Sequence, residues 1–222
     1  MKILIIAAGE PNPRPLLHKL IGGCEHLIAV DGGTRVARQA RLTIHQFVGD
    51  GDSIRSSDRS WLESKNTEAT WHPVEKDQTD LELAFDLAIE HKPQSIHVLG
   101  GWGGRADHTL SNMFLMEKAA ANGIETMLWS DYEKIQLCYP GDVLFEDAWE
   151  GQRISLVPIS DSVEGVLTQG LYYPLYNETL QRAAGRGVSN QVDKLPASIS
   201  FTKGVLLVVR AFDRQHLDAL AM

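Results

Sequence analysis

The sequence predicts an α/β protein in two parts: an N-terminal doubly wound, mostly parallel sheet domain over residues 1–131 and a smaller antiparallel β-sandwich domain over residues 132–222. Three observations carry this. Short apolar runs alternate with longer amphipathic stretches through the first half. The alternation stops near Asp131, and beyond it short strand-like runs follow one another between Gly, Pro and Asp with no long helical pattern.

In the first half the strands are read at Lys2–Ala7, His26–Val30, Gln46–Val48, Ala69–His72, Ser95–Leu99 and Glu125–Trp129. Helical patterns fill the gaps. The clearest is Leu81–Glu90, where Leu81, Ala84, Phe85 and Ala88 share one face and Thr79 with Glu82 forms a capping box. Arg105–Ala121 is another. Strand and helix in alternation imply a parallel sheet covered on both faces, with right-handed crossovers. In the second half Lys134–Cys138, Val143–Phe145, Ile154–Pro158, Val163–Thr168, Ile199–Phe201 and Val205–Val209 read as the strands of a small antiparallel sandwich or barrel. No repeat, low-complexity tract or long linker interrupts the chain.

Composition bounds the function. The chain has 222 residues and 43% apolar content, ample for a packed core, and a formal net charge of -8. An acidic balance argues against a nucleic-acid surface, which needs a basic face. Cys24 and Cys138 are too few for a disulfide framework or a cysteine zinc site; they fit a reducing compartment and are expected to be buried. The apolar start, Ile3 to Ala8, is too short to span a bilayer and runs into Gly9 and Pro11, so it reads as the first strand of a cytoplasmic protein with no membrane partner.

Every unusual polar cluster of the first half follows the end of an expected strand. Asp31, in Asp31-Gly32-Gly33, follows the second; Gly49-Asp50-Gly51-Asp52-Ser53 follows the third. Lys76, Asp77 and Asp80 lie beyond the fourth, and Gly100 to Asp107 follow the fifth. In an open parallel sheet these ends share one rim, the edge at which such folds bind ligands. Asp50 and Asp52 alternate on an extended chain and can face one centre, and hard carboxylate oxygens suit magnesium held together with phosphates. A solvated Asp-Gly turn is the bland alternative. Asp31 also reads as a turn residue, Asp80 and Glu82 as acids favoring a helix start, and Lys76 as a solvated lysine. The glycines before Arg105 lead into a helix and offer a seat for anionic oxygens. His108 by itself reads as structural, and Trp102 as a packing residue or a cover for a base.

Taken in order, Asp31-Gly32-Gly33, Gly49-Asp50-Gly51-Asp52-Ser53, Lys76-Asp77-Gln78-Thr79-Asp80, Gly103-Gly104-Arg105-Ala106-Asp107-His108 and Val188-Ser189-Asn190 resemble the thiamine pyrophosphokinase family through nearly the whole chain. Gly51 departs from the family, which more usually carries a bulkier residue between the two aspartates. The resemblance implies a homodimer in which the α/β half binds ATP and magnesium while the β half helps to hold thiamine across the subunit interface. The thiamine hydroxyl would attack the β-phosphorus of Mg-ATP in line and release AMP. Asp50, Asp52 and Asp77 would hold Mg2+ and, with Asp80, make the catalytic set, with Asp31 and Asp80 supporting the metal ligands. Asp31, Gly32, Gly33, Lys76, Gly103, Gly104, Arg105, Asp107 and His108 would bind nucleotide or phosphate, and Ser189 and Asn190 would meet thiamine. A pyrophosphokinase for another primary alcohol such as a pterin, a nucleotide or thiamine sensor without turnover, and a purely structural module are the competing readings.

Overall fold

Ile3, Leu4, Ile5 and Ile6 are completely buried, as a strand covered on both faces must be. They form the center of the first unit in a computed structural model that describes residues 1–9, 17, 20–130 and 132–212. Two compact units are present, one built on Met1–Asp131 and one spanning Tyr132–Asp213. Residues 213–222, assigned to the second domain by the sequence reading, lie outside the described residues.

The first unit contains strands β1 (Lys2–Ile6), β2 (His26–Val30), β3 (Gln46–Gly49), β4 (Glu68–Trp71), β5 (Ser95–Leu99) and β6 (Glu125–Trp129). They run parallel in the order β6-β5-β1-β2-β3-β4. The described helices are α1 (Gly33–Gln39), α2 (Ser56–Ser64), α3 (Asp80–Glu90) and α4 (Ala106–Ala120). In α3 the expected face is the buried one: Leu81, Ala84, Phe85 and Ala88. Thr79 caps it by accepting the Glu82 N–H at 3.2 Å. The return half of the expected capping box is replaced, because Lys118 draws the Glu82 carboxylate to 3.1 Å. At the sheet edge β4 is short and exposed throughout.

Strand order reverses at β1, which has β2 on one side and β5 on the other. Loops leaving β1 and β5 must diverge there, and a crevice opens at the carboxyl ends of the two strands. They also touch: Gly9 N–H donates to Gly100 O at 2.9 Å. A Cβ on Gly9 would lie 2.2 Å from that oxygen, so only glycine permits the approach.

The second unit contains β7 (Glu133–Cys138), β8 (Gly141–Leu144), β9 (Arg153–Pro158), β10 (Ser162–Gln169), β11 (Glu178–Gln181), β12 (Asn190–Gln191), β13 (Ser198–Phe201) and β14 (Leu206–Ala211). Antiparallel pairing arranges them as β12-β9-β14-β7 and β11-β10-β13-β8. Both sheets contribute to one apolar cluster that includes Ile154, Leu156, Val166, Leu180, Ile199, Phe201 and Val208. Two strands were absent from the sequence reading. β11 offers only Leu180 to the core and β12 is two residues long, so neither carries an alternating apolar pattern. β8 ends at Leu144 rather than Phe145. Cys138 is buried as expected, but Cys24 is only partly buried, which still pushes its thiol up to about 11. Among the described residues no helix is long and apolar enough to cross a membrane.

Candidate active site

Asp31 follows the last residue of β2 at φ 41, a left-handed turn that acidic and amide residues tolerate better than most. Its N–H still donates to Val48 O at 3.2 Å, so the side chain leaves the sheet at a defined point. The carboxylate fills the space over Gly49, where a Cβ would lie 1.9 Å from Asp31 Oδ1. Gly33 is equally constrained, since a Cβ there would meet Ile6 O at 2.0 Å, and this lets α1 start directly on β1. Gly32 is the N-cap of α1, and a Cβ on it would lie 2.9 Å from Ala8 Cβ.

Asp50 and Asp52 flank Gly51, whose φ is +83. Asp52 N–H donates to Asp50 Oδ1 at 3.0 Å, and Ser53 Oγ donates to Asp52 Oδ1 at 2.7 Å. Asp31, Asp50 and Asp52 each offer a carboxylate oxygen within 4.8 Å of the others. Lys76 reaches in from the loop after β4, donating to Asp50 Oδ2 at 2.9 Å and to Pro73 O at 3.0 Å, with Asp80 Oδ1 3.2 Å away. Burial opposes the lysine's charge, but Asp50 and Asp80 outweigh it and hold its pKa above the usual value. The Asp52 N–H, followed by Lys76, holds Asp50 below the usual carboxylate range.

Asp31 shows the opposite behavior. Burial, followed by the charges of Asp80 and Asp50, raises it from 3.8 to about 7. Asp31 Oδ1 is buried without a hydrogen-bond partner. Crowded acids with a buried, unpartnered oxygen fit a hard divalent cation, which accepts several carboxylate ligands and relieves their repulsion. Asp77 is exposed and outside the group of three, whereas Asp31, read from the sequence as a support, is within it.

A cleft of about 650 Å³ opens beside these acids, bordered by Ala7 to Gly9, Asp31, Thr79, Asp80, the glycine-rich loop, Arg105, His108 and Asn112. Gly100, Gly103 and Gly104 take φ values of 74, 92 and 74, which place the loop in front of α4. Two side chains of α4 fasten it: Thr109 Oγ1 accepts the Gly103 N–H at 3.2 Å, and Asn112 Nδ2 donates to Gly101 O at 2.7 Å. The N-cap residue Arg105 makes no side-chain cap, and in the first turn of α4 the Asp107 carboxylate accepts the His108 N–H at 3.0 Å. The Arg105 guanidinium forks onto Asp107, with Nη2 to Oδ2 at 2.6 Å and Nε to Oδ1 at 3.2 Å, and this brings Asp107 down to about 2. Arg105, Asp107 and His108 are all exposed, and Arg105 and His108 border the cleft. The sequence reading missed Thr109 and Asn112. Their one signal is helical spacing, since Asn112 lies one turn after His108 on the face that meets the glycine loop.

In the second unit Ser189 has φ 61 and its N–H donates to Ser155 Oγ at 3.0 Å. It borders a small pocket of about 180 Å³ with Glu133, Arg153 and Ser155. Asn190 is buried, and its amide holds a neighboring segment: Oδ1 accepts the N–H groups of Tyr173 at 3.0 Å and Gln191 at 2.8 Å, and Nδ2 donates to Tyr173 O at 2.7 Å. The segment it fixes presents Tyr172 and Tyr173 edge to face, their ring centroids 4.8 Å apart and both rings exposed.

Residues 17–128 match the family model of the thiamin pyrophosphokinase catalytic domain, and residues 142–206 that of the thiamin pyrophosphokinase vitamin B1 binding domain. The chain is 34% identical to the thiamine pyrophosphokinase of Bacillus subtilis over 216 residues, covering 96% of this chain and 100% of that protein. The crystal structure of the Bacillus subtilis thiamine pyrophosphokinase superposes with a TM-score of 0.85 at 32% identity, over 96% of this chain and 100% of that one. A thiamin pyrophosphokinase from Geobacillus thermodenitrificans gives 0.82 at 29% identity, over 96% and 99%.

Proposed function

The chain belongs to the thiamin pyrophosphokinase family, and on that premise we propose that it is the enzyme that makes thiamine diphosphate and AMP from ATP and thiamine. The observation that carries the reading is the meeting of Asp31, Asp50 and Asp52 beside the cleft, with a buried oxygen of Asp31 lacking any partner. Their chemistry fits Mg2+, which Asp31, Asp50 and Asp52 would hold, and when bound the ion would neutralize charge on the phosphates. Asp77, expected from the family resemblance to bind the ion as well, is exposed and outside this group, and would have to approach it from the loop before α3.

The remaining residues position and balance charge. Lys76, already set between Asp50 and Asp80, would transfer one of its donors to a phosphate oxygen. Gly32, Gly33, Gly103 and Gly104 would keep the backbone bare beside the phosphates, and the first-turn amides of α4 not taken by Asp107 would add donors. Arg105 would turn its fork from Asp107 to the nucleotide, with His108 beside it. The thiamine hydroxyl would attack the β-phosphorus with AMP leaving on the far side, a step in which alignment and charge neutralization do most of the work. Ser189 would meet thiamine directly, and Asn190 through the tyrosine segment it holds. Homodimerization and a cytoplasmic setting belong to the same reading, supported by family membership. The relatives' names favor thiamine over a pterin or other alcohol, and turnover over sensing.

Incubation with ATP, Mg2+ and thiamine tests it. AMP and thiamine diphosphate should appear in equal amounts. ADP as the nucleotide product, or no product, would overturn the reading.

A further inference from the structure

Gly49 and Trp71 are register partners in β3 and β4, and His72 N–H donates to Gly49 O at 3.0 Å, so the two strands stay paired up to the Asp50-Gly51-Asp52 turn. Trp71 walls that turn. A Cβ on Gly51 would lie 2.9 Å from Trp71 Cζ3 and 3.4 Å from Cε3. The indole is held in turn by the buried Phe47, with ring centroids 4.6 Å apart, and by Arg59, whose guanidinium carbon lies 4.4 Å from the ring centroid. Trp71 is 38% exposed on an edge strand whose residues are all exposed. Fixing a large aromatic ring there, with its edge against bare backbone, is more than sheet packing requires.

The turn needs such a wall. Gly51, at φ +83, gives it backbone freedom, and Asp50 and Asp52 are like charges that favor spreading apart. We propose that Trp71 is a positioning residue for the metal seat: its ring edge closes the space behind Gly51 and keeps Asp50 and Asp52 where they meet Asp31. The proposal rests on the reading of these acids as the Mg2+ ligands. In this role Trp71 acts through Gly51 and requires no contact with ion or substrate.

Mn2+ alone, titrated into the intact protein and followed by electron paramagnetic resonance, reads the seat without turnover. Trp71→Phe keeps a ring on Phe47 but removes the edge that reaches Gly51. It should melt near the wild-type temperature and leave the KM for thiamine unchanged, while weakening Mn2+ binding about tenfold, the lower end for groups that orient metal ligands. Gly51→Ala should weaken Mn2+ binding more in the wild-type background than beside Trp71→Phe, because the smaller ring removes the collision but not the strain at positive φ. Unchanged Mn2+ binding in Trp71→Phe, or an equal cost of Gly51→Ala in both backgrounds, would overturn the proposal. Asp52→Asn separates the two levels. If it binds Mn2+ as tightly as wild type, the metal reading itself fails; if it loses Mn2+ while Trp71→Phe does not, only the role of Trp71 fails.

Discussion

The two ends of the parallel sheet treat polar groups in opposite ways. At the amino ends of the strands His26, His45 and His91 pack together, with ring centroids 4.7 Å apart for His26 with each of the others. Gln46 Oε1 accepts from His26 Nε2 and His91 Nε2, both at 2.9 Å, and Gln46 Nε2 donates to Glu68 at 3.1 Å. At the carboxyl ends Asp31 keeps a buried oxygen with no partner, and burial with the charges of Asp80 and Asp50 raises it to about 7. One end satisfies its groups and stabilizes the fold. The other holds unsatisfied charge in a fixed arrangement, a cost that a binding site tolerates because the ligand relieves it.

Substitutions at the carboxyl end should therefore cost activity more than stability. Asp52 is exposed, so Asp52→Asn should leave the melting temperature nearly unchanged while lowering kcat by about 100-fold or more, the scale for removing one charge-stabilizing contact. A loss confined to stability would break the contrast. Gly49→Ala should come next, because the new methyl displaces the Asp31 carboxylate; metal affinity should fall by about 10-fold or more with a smaller loss of stability. Asp31→Asn sharpens the comparison in the other direction. It removes a crowded charge, so the metal-free protein should melt higher, by about 2–4 °C for each kcal/mol relieved, while metal binding is lost.

The smallest effect belongs to the amino end. His45 Nδ1 accepts the Leu27 N–H at 3.0 Å, a contact that needs a neutral ring. Burial, followed by the charge of His26, lowers the His45 pKa below its ordinary 6.5. The unfolded chain then binds that proton more readily, so this stabilization is present above about pH 6.5 and is lost as pH falls below it. Denaturant unfolding of wild type and of His45→Gln, followed from pH 8 to pH 5, should show the loss as a difference between the two, since Asp31, raised to about 7, gains stability in both over the same range.

What was legible in the sequence follows from the range of each interaction. Doubly covered strands such as Ile3–Ile6 are continuous apolar runs, and the face of α3 repeats at helical spacing, so both could be read locally. The acids could be placed on one rim because strand ends alone determine it. The facing of Asp50 and Asp52 could be read from their alternation, but not that Asp31 joins them as a third: that rests on the β2–β3 pairing and the bare Gly49, and both are tertiary facts. Thr109 and Asn112 were hidden for the same reason, since a polar residue within a helix does not announce which loop it fastens. Asn190 was visible as a residue, but its hold on Tyr173 spans 17 positions and needed the folded chain.

Anomalous diffraction from crystals of the protein grown with Mn2+ and ATP would test the metal seat most directly. The account predicts a peak bonded to oxygens of Asp31, Asp50 and Asp52 and facing the nucleotide phosphates. A peak elsewhere on the chain, or nucleotide bound with these three acids empty of metal, would contradict it.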